Sequence, residues 1–293
     1  MEQAISRAKV LMEALPYIKD FRGKKIVVKY GGHAMVNPEL KSLFAKQIVL
    51  FHLVGIQVVV VHGGGPQISR TLDSMGIQSS FIDGKRVTDS RTMDVVEMVL
   101  AGGINKEIVQ LINAAGGRAV GLSGKDGGLI RARKLRFSRK DEAGNLTDID
   151  MGHVGEVTAV NTDIIDAVEK AGFVAVIAPS GVGDDGLTYN INADTVAAEI
   201  ARQLKVEKLI ILTDEQGVLD VEGKLISSMK YSQIHKLIST GVVTGGMIPK
   251  MECCMRALEG GVTKAHIIDG RVPYSILLEL FTDSGIGTQI VKE

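Results

Sequence analysis

The chain has 293 residues, of which 45% are apolar and 23% charged, a composition that excludes a disordered polymer and allows about two domains of ordinary size. Thirty-four basic side chains balance 34 acidic ones, so no net field draws the protein to nucleic acid or to an anionic membrane. The two cysteines, Cys253 and Cys254, are adjacent and cannot staple a fold, and apolar runs such as Val58 to Val61 are far shorter than the ~18 residues a membrane span needs, so the expectation is a cytoplasmic protein without an export signal.

Ile5, Ala8, Met12, Leu15 and Ile18 recur at helical spacing and predict an amphipathic first helix, bent at Pro16. Lys24 to Gly32 reads as a buried strand ending in a glycine turn, after which Asn37-Pro38 offers the N-cap and first residue of a helix to about Leu53. The pattern repeats with a strand from Ile56 to Val61, the triplet Gly63-Gly64-Gly65, and a helix from about Pro66 to Met75. Val95 to Ile112 is helical in pattern but interrupted by Gly102 and Gly103, and Arg118 to Leu122 returns as a strand. Residues 127 to 160 alternate over short distances around the polar turn Asp141 to Asn145, which predicts hairpins over the sheet edge.

A helix near Thr162 to Ala171 and a strand from Phe173 to Ala178 lead to the Gly- and Asp-rich stretch Pro179 to Gly186, the predicted domain boundary. Beyond it come helices at 193–204, 232–239 and 249–258, with strands at 208–212 and 265–268. Strands alternating with helices predict an α/β fold whose mostly parallel sheet is covered on both faces, with ligands beyond the carboxyl ends of the strands.

No Walker A pattern is present, and the GxGxxG at Gly181, Gly183 and Gly186 opens no helix, which reads as a connecting loop. Lys29 ends a buried strand beside Gly31-Gly32, where a charge must meet an anion or a carboxylate or else snorkel. Lys250 follows Gly245-Gly246 in a first helical turn, a natural place for anions and equally for a solvated lysine. The glycine triplet can turn main-chain N–H groups toward an oxyanion. Asp194 stands at a helix start, where its plain role is an N-cap, and Arg86 can grip a carboxylate or form a surface salt bridge. The six histidines and the cysteine pair lack metal-ligand spacing, and no GxSxG is present.

VVKYGGHAM at 27–35, VVVHGGGPQI at 59–68, DGKRVTD at 83–89, YNINADTVA at 189–197, LTDEQGVL at 212–219 and TGGMIPKM at 244–251, in this order, resemble the amino acid kinase family, and within it the members that phosphorylate N-acetyl-L-glutamate on the way to arginine. The resemblance implies a three-layer αβα sandwich in two lobes, 21–180 for the amino acid and 181–293 for ATP, with Mg²⁺ carried by the nucleotide. It implies that Lys29 and Lys250 neutralise the transferring phosphoryl and that Asp194 holds both lysines. Gly64, Gly65, Arg86 and Asn190 would bind the acceptor. Gly32, Thr213, Asp214, Gly217, Val218, Leu219 and Met247 would bind ATP. The helix within residues 1–20 is similar to one that interlaces dimers into a homohexamer in arginine-inhibited members, and His266, Glu279 and Gly285 are the candidate contacts for L-arginine. Pro273-Tyr274 departs from that pattern. Glutamate 5-kinase, aspartate kinase and carbamate kinase share the phosphoryl machinery and remain alternatives, as does a non-catalytic sensor of arginine or nucleotide.

Overall fold

The computed structural model describes residues 1–140 and 146–293, so the predicted turn Asp141 to Asn145 lies outside the described residues. The first helical segment is two helices, α1 (Glu2–Glu13) and α2 (Leu15–Phe21), parted at Ala14 with Pro16 in the first turn of α2, where its missing N–H is harmless. The two predicted β-loop-α units follow as β1 (Lys25–Tyr30) with α3 (Pro38–Leu53) and β2 (Gln57–His62) with α4 (Gly65–Ser74). Asn37 caps α3 through the N–H groups of Glu39 and Leu40, at 2.9 and 3.1 Å.

The short strands β3 (Phe81–Ile82) and β4 (Lys85–Arg86) lead to α5 (Ser90–Glu97), capped by Asp89. A π-helical stretch, 98–104, joins α5 to α6 (Asn105–Ala114), so Gly102 and Gly103 do not interrupt the helix as the sequence suggests. A π turn shifts the hydrogen-bond ladder by one residue and lets the helical backbone continue. Then come β5 (Ala119–Ser123), β6 (Ile130–Lys134), β7 (Phe137–Lys140), β8 (Leu146–Ile149), β9 (Gly155–Val160), α7 (Asp163–Lys170) and β10 (Val174–Ala178). Pro179 to Gly186 enters the hairpin of β11 (Ser180–Val182) and β12 (Thr188–Asn190), and no helix opens at Gly186. The chain ends with α8 (Ala193–Leu204), β13 (Lys208–Thr213), β14 (Ser228–Lys230), α9 (Tyr231–Ser239), α10 (Met247–Glu259), β15 (Lys264–Asp269), α11 (Ser275–Leu280) and β16 (Thr288–Val291).

The central sheet has the order β14-β16-β15-β13-β1-β2-β10-β5 and is continuous across residue 180. The six strands from β15 to β5 are parallel, and β16 joins antiparallel to β15. A second sheet, β12-β11-β6-β9, carries the predicted short alternating strands, with β7 and β8 as a separate hairpin.

Strand alternation decides which layer each side chain joins. Val27, Val59, Ile177, Leu209, Ile211 and Ile267 pack with Val196 and Ile200 of α8 and Cys254 and Leu258 of α10. Their neighbours Ile26, Val28, Val60, Val176 and Ile210 face the other way, onto Ile48 of α3, Ile108 and Ile112 of α6 and Ile276 of α11. Each fully buried aliphatic contributes about 1.5–3 kcal/mol. By the same alternation Lys29, two residues after Val27, emerges on the α8 face, while His62 emerges on the α6 face.

Candidate functional site

Lys29, at the end of β1, is 8% exposed and Asp194, in the first turn of α8, is 5% exposed. Such burial requires a partner, and Lys29 Nζ lies 3.0 Å from Asp194 Oδ1. Lys250 Nζ, from α10, donates to Asp194 Oδ2 at 2.7 Å. Among the described residues Oδ1 accepts no hydrogen bond, so the Lys29 contact is an ion pair off the hydrogen-bonding direction. Burial pushes the Asp194 pKa up, but the ammonium groups of Lys29 and Lys250 outweigh it and hold the carboxyl below its usual range. Asp194 is not the cap of its helix: Asn192 accepts the N–H groups of Asp194 and Thr195. Gly31 leaves the space that the Lys29 ammonium fills, since a Cβ there would collide with Nζ.

Lys29 and Lys250 border a cleft of about 600 Å³ at the carboxyl ends of β1 and β13, with Asp194 behind them joining the two. Gly32, Thr213, Asp214, Gly217, Val218, Leu219 and Met247 all line it with Lys29 and Lys250, as the motifs lead one to expect. Two of the glycines are sterically required. Gly217 has φ +146°, and a Cβ would meet Leu225 and Thr288, whose hydroxyl accepts the Val218 N–H at 2.8 Å. Gly32 has φ +71° and faces the Asp214 carboxylate, which accepts the His33 N–H at 2.6 Å. Val242 and Val243 also line the cleft and were not singled out from the sequence, because apolar residues before a glycine turn carry no distinctive spacing.

Beside the cleft, β2 is the parallel neighbour of β1, and the Gly63 N–H donates to Tyr30 O at 2.8 Å, tying the two glycine loops together. Gly64 is the N-cap of α4, which has no side-chain cap. A Cβ on Gly64 would strike Leu100 and Ile104 of the π-helical stretch, at 2.7 and 2.5 Å. Arg86 is not on the surface: it is 6% exposed, donates Nη2 to Ser69 Oγ at 2.7 Å and to Gly65 O at 3.2 Å, bonds Ser79 through Nη1, and lies over Phe81. Among the described residues it forms no ion pair. Burial pulls its pKa down, with Asp73 acting against this, yet a guanidinium stays cationic. Asn190, on β12, donates to Thr88 Oγ1 at 3.3 Å, and Thr88 Oγ1 donates to Arg86 O at 2.9 Å. Gly64, Gly65, Arg86 and Asn190 thus form one neighbourhood.

On the opposite side of the sheet from α8, His266 Nδ1 donates to Glu279 Oε1 at 2.5 Å, and Glu279 Oε2 accepts the Ile286 N–H at 2.7 Å. Gly285, at φ +59°, sits where a Cβ would press on the same carboxylate. Burial pulls the His266 pKa down despite Glu279. Burial pushes Glu279 up, but His266 and the amides of Ile286 and Gly287 hold it low. His266 Nε2 is buried without a partner among the described residues. No group of three His, Cys, Asp or Glu side chains converges to hold a metal among them, although Asp214, Glu215 and Asp220 give the nucleotide-sized cleft a carboxylate wall suited to a hydrated Mg²⁺ arriving on phosphates. No described helix is long and apolar enough to cross a membrane.

A sequence profile of the amino acid kinase family matches residues 24–269. The chain belongs to the amino acid kinase family. The acetylglutamate kinase of Geotalea uraniireducens, a relative in this family, is 56% identical over 291 residues, covering 99% of this chain and 100% of its own. Among solved structures, N-acetylglutamate synthase from Neisseria gonorrhoeae, complexed with coenzyme A and N-acetyl-glutamate, matches with a TM-score of 0.83 at 27% identity over 97% of this chain, which spans 63% of that longer one. Carbamate kinase from Giardia lamblia, bound to AMP-PNP, shares the family's fold, with a TM-score of 0.64 at 17% identity over 92% of this chain and 99% of its own.

Proposed function

We propose that this family member transfers the γ-phosphoryl group of ATP to the side-chain carboxylate of N-acetyl-L-glutamate, giving N-acetyl-L-glutamyl 5-phosphate and ADP in L-arginine biosynthesis. The observation that carries the reading is Asp194 held between Lys29 and Lys250, the two lysines that line the cleft, in a chain so similar to an acetylglutamate kinase.

A glutamyl carboxylate, with an ordinary pKa of ~4.3, is ionised at neutral pH and needs no general base. The difficulty is bringing it against a phosphate of like charge, so the protein must align and screen. Lys29 and Lys250 leave one net positive charge after Asp194 is counted, placed where a γ-phosphoryl in the cleft would meet the acceptor. The uncapped N-terminus of α4 at Gly64 and Gly65 presents amides and a positive helix end to the incoming carboxylate. Arg86 would pair with the α-carboxylate, and Asn190 would hydrogen-bond the acetylamino group. When bound with the nucleotide, Mg²⁺ supplies charge neutralisation of the phosphates. The carboxylate oxygen forms the new P–O bond as the bond to ADP breaks, with no proton transfer required.

The regulatory reading belongs to the same proposal. L-Arginine would bind at His266, Glu279 and Gly285, where a buried carboxylate lies with an imidazole nitrogen that has no partner among the described residues. The homohexamer, a trimer of dimers, would be interlaced through α1, which exposes Val10, Leu11 and Met12. The two lobes, 21–180 and 181–293, would carry acceptor and ATP respectively, in the cytoplasm.

The test is ADP release with Mg-ATP and N-acetyl-L-glutamate, beside L-glutamate, L-aspartate and carbamate, with and without L-arginine. Turnover confined to the acetylated substrate supports the acceptor assignment, and turnover with another acceptor or none overturns it.

A further inference from the structure

The segment Met151–Val154 threads between the two halves of the acceptor pocket. The Thr88 N–H donates to Met151 O at 3.0 Å, the His153 N–H to Thr88 O at 2.6 Å, and the Asn190 N–H to His153 O at 2.8 Å. Parallel bridges pair Thr88 with Gly152 and Val154 with Asn190. Thr88 and Asn190 are therefore spaced by one inserted strand width, about 4.8 Å on either side of it, and only the 3.3 Å Asn190–Thr88 side-chain contact spans the gap directly.

Two residues fix this insertion. Gly152 has φ +69°, and a Cβ there would come within 2.7 Å of the Thr88 carbonyl carbon and closer still to its oxygen. These are backbone atoms that cannot turn aside, so glycine alone permits the approach. The His153 ring then spans the pocket's supports: Nε2 accepts from Ser90 Oγ at 3.1 Å, in the first turn of α5, and Nδ1 donates to Thr188 O at 3.2 Å, on β12. Because Thr88 Oγ1 is bonded to Arg86 O, a displacement of Thr88 reaches Arg86 directly.

We infer that Gly152 and His153 are positioning residues that set the separation of Arg86 from Asn190, and so select an acceptor bearing both a free α-carboxylate and an acylated amine. The inference rests on the acceptor reading above and adds its specificity determinant. A pocket with two anchors discriminates by their spacing, and displacing one by about 1 Å is enough to cost as much as ~10²-fold.

The test is steady-state kinetics of the full chain and its Gly152→Ala, His153→Ala and His153→Gln variants, varying N-acetyl-L-glutamate, L-glutamate and ATP separately. In Gly152→Ala and His153→Ala the acceptor KM rises about tenfold or more while the ATP KM stays within about twofold, and preference for the acetylated acceptor narrows. Glutamine, whose amide can replace the ring's donor and acceptor, restores most of the affinity. An unchanged acceptor KM in both variants, or an equal rise in the ATP KM, overturns the inference. If Gly152→Ala does not fold, the two His153 variants decide alone. A wild-type chain inert toward N-acetyl-L-glutamate overturns the acceptor reading itself, which the variants leave untouched.

Discussion

Asn192 takes the amides of Asp194 and Thr195 on its side-chain oxygen, at 2.8 and 3.2 Å, and thereby frees Asp194 from capping its own helix. If Asp194 serves the reaction as proposed, losing the cap and losing the carboxylate should have separable effects. Asn192→Ala should cost about 1 kcal/mol of stability, read as a fall in denaturant midpoint, with only a modest change in kcat. Asp194→Asn should lower kcat by ~10²-fold or more, since two ammonium groups lose the charge that places them. Equal kinetic damage from the two would show that the cap and the carboxylate act as one.

Lys29→Ala and Lys250→Ala should each reduce kcat by at least ~10²-fold with smaller changes in either KM, the signature of a charge needed mainly in the transition state. The double variant should lose far less than the product of the single effects, because both lysines share Asp194. Single-turnover measurements check this, and near-normal turnover in either single variant would remove it from the reaction.

Arg86 is a buried cation without a carboxylate partner among the described residues, a costly state that a substrate carboxylate would relieve. Arg86→Ala should mainly raise the KM for N-acetyl-L-glutamate, and Arg86→Lys should fail to restore it, because an ammonium cannot span Ser69, Ser79 and a carboxylate at once. A change confined to the ATP dependence would place the pocket elsewhere.

His62 is fully buried, donating Nδ1–H to Gly63 O at 2.9 Å and accepting from Asn105 on Nε2 at 3.2 Å. Burial lowers its pKa from 6.5 to about 4, with Gly63 acting against this. The unfolded chain therefore takes up a proton below about pH 6.5 that the folded chain refuses until about pH 4, so stability falls as pH drops through that window. The contribution is on the order of 3 kcal/mol at most. Melting curves at pH 7 and pH 5 should show the loss, and His62→Gln should flatten the slope while lowering the melting point at both.

Burial pushes the Cys253 thiol up to about 11 and Cys254 well above its ordinary value. Neither is a thiolate at neutral pH. Iodoacetamide should leave the native protein unmodified and fully active, and should label both cysteines after denaturation.

Much of the fold was legible because its strands announce themselves. Lys25–Tyr30, Gln57–His62 and Lys208–Thr213 are continuous apolar runs next to glycine or capping signals, and burial on both faces demands such runs. The edge strand β14, its neighbour β16 and the helix α11 were missed, since three- to six-residue elements offer too little periodicity. In the candidate site the glycine-flanked lysines stood out, whereas the true cap of α8 did not, because Asn192 and Asp194 are both good caps and only geometry tells which one serves. His153 was weighed only as a metal ligand and Gly152 was not singled out, because a glycine's steric role shows only once the backbone beside it is seen.

Lys29 comes from the first strand and Asp194 and Lys250 from the last hundred residues, and they meet only because β13 docks beside β1. A ribosome-bound nascent chain can release both glycine loops, the acceptor wall and Asp194 of α8 long before α10 emerges, and at that stage Asp194 still lacks Lys250, its second ammonium partner. Competence therefore arrives late and in one step. Proteolytic fragments lacking the final third should be inert however well they hold their strands, and adding that third back as a separate piece should restore activity only where it can rebuild the β1–β13 seam.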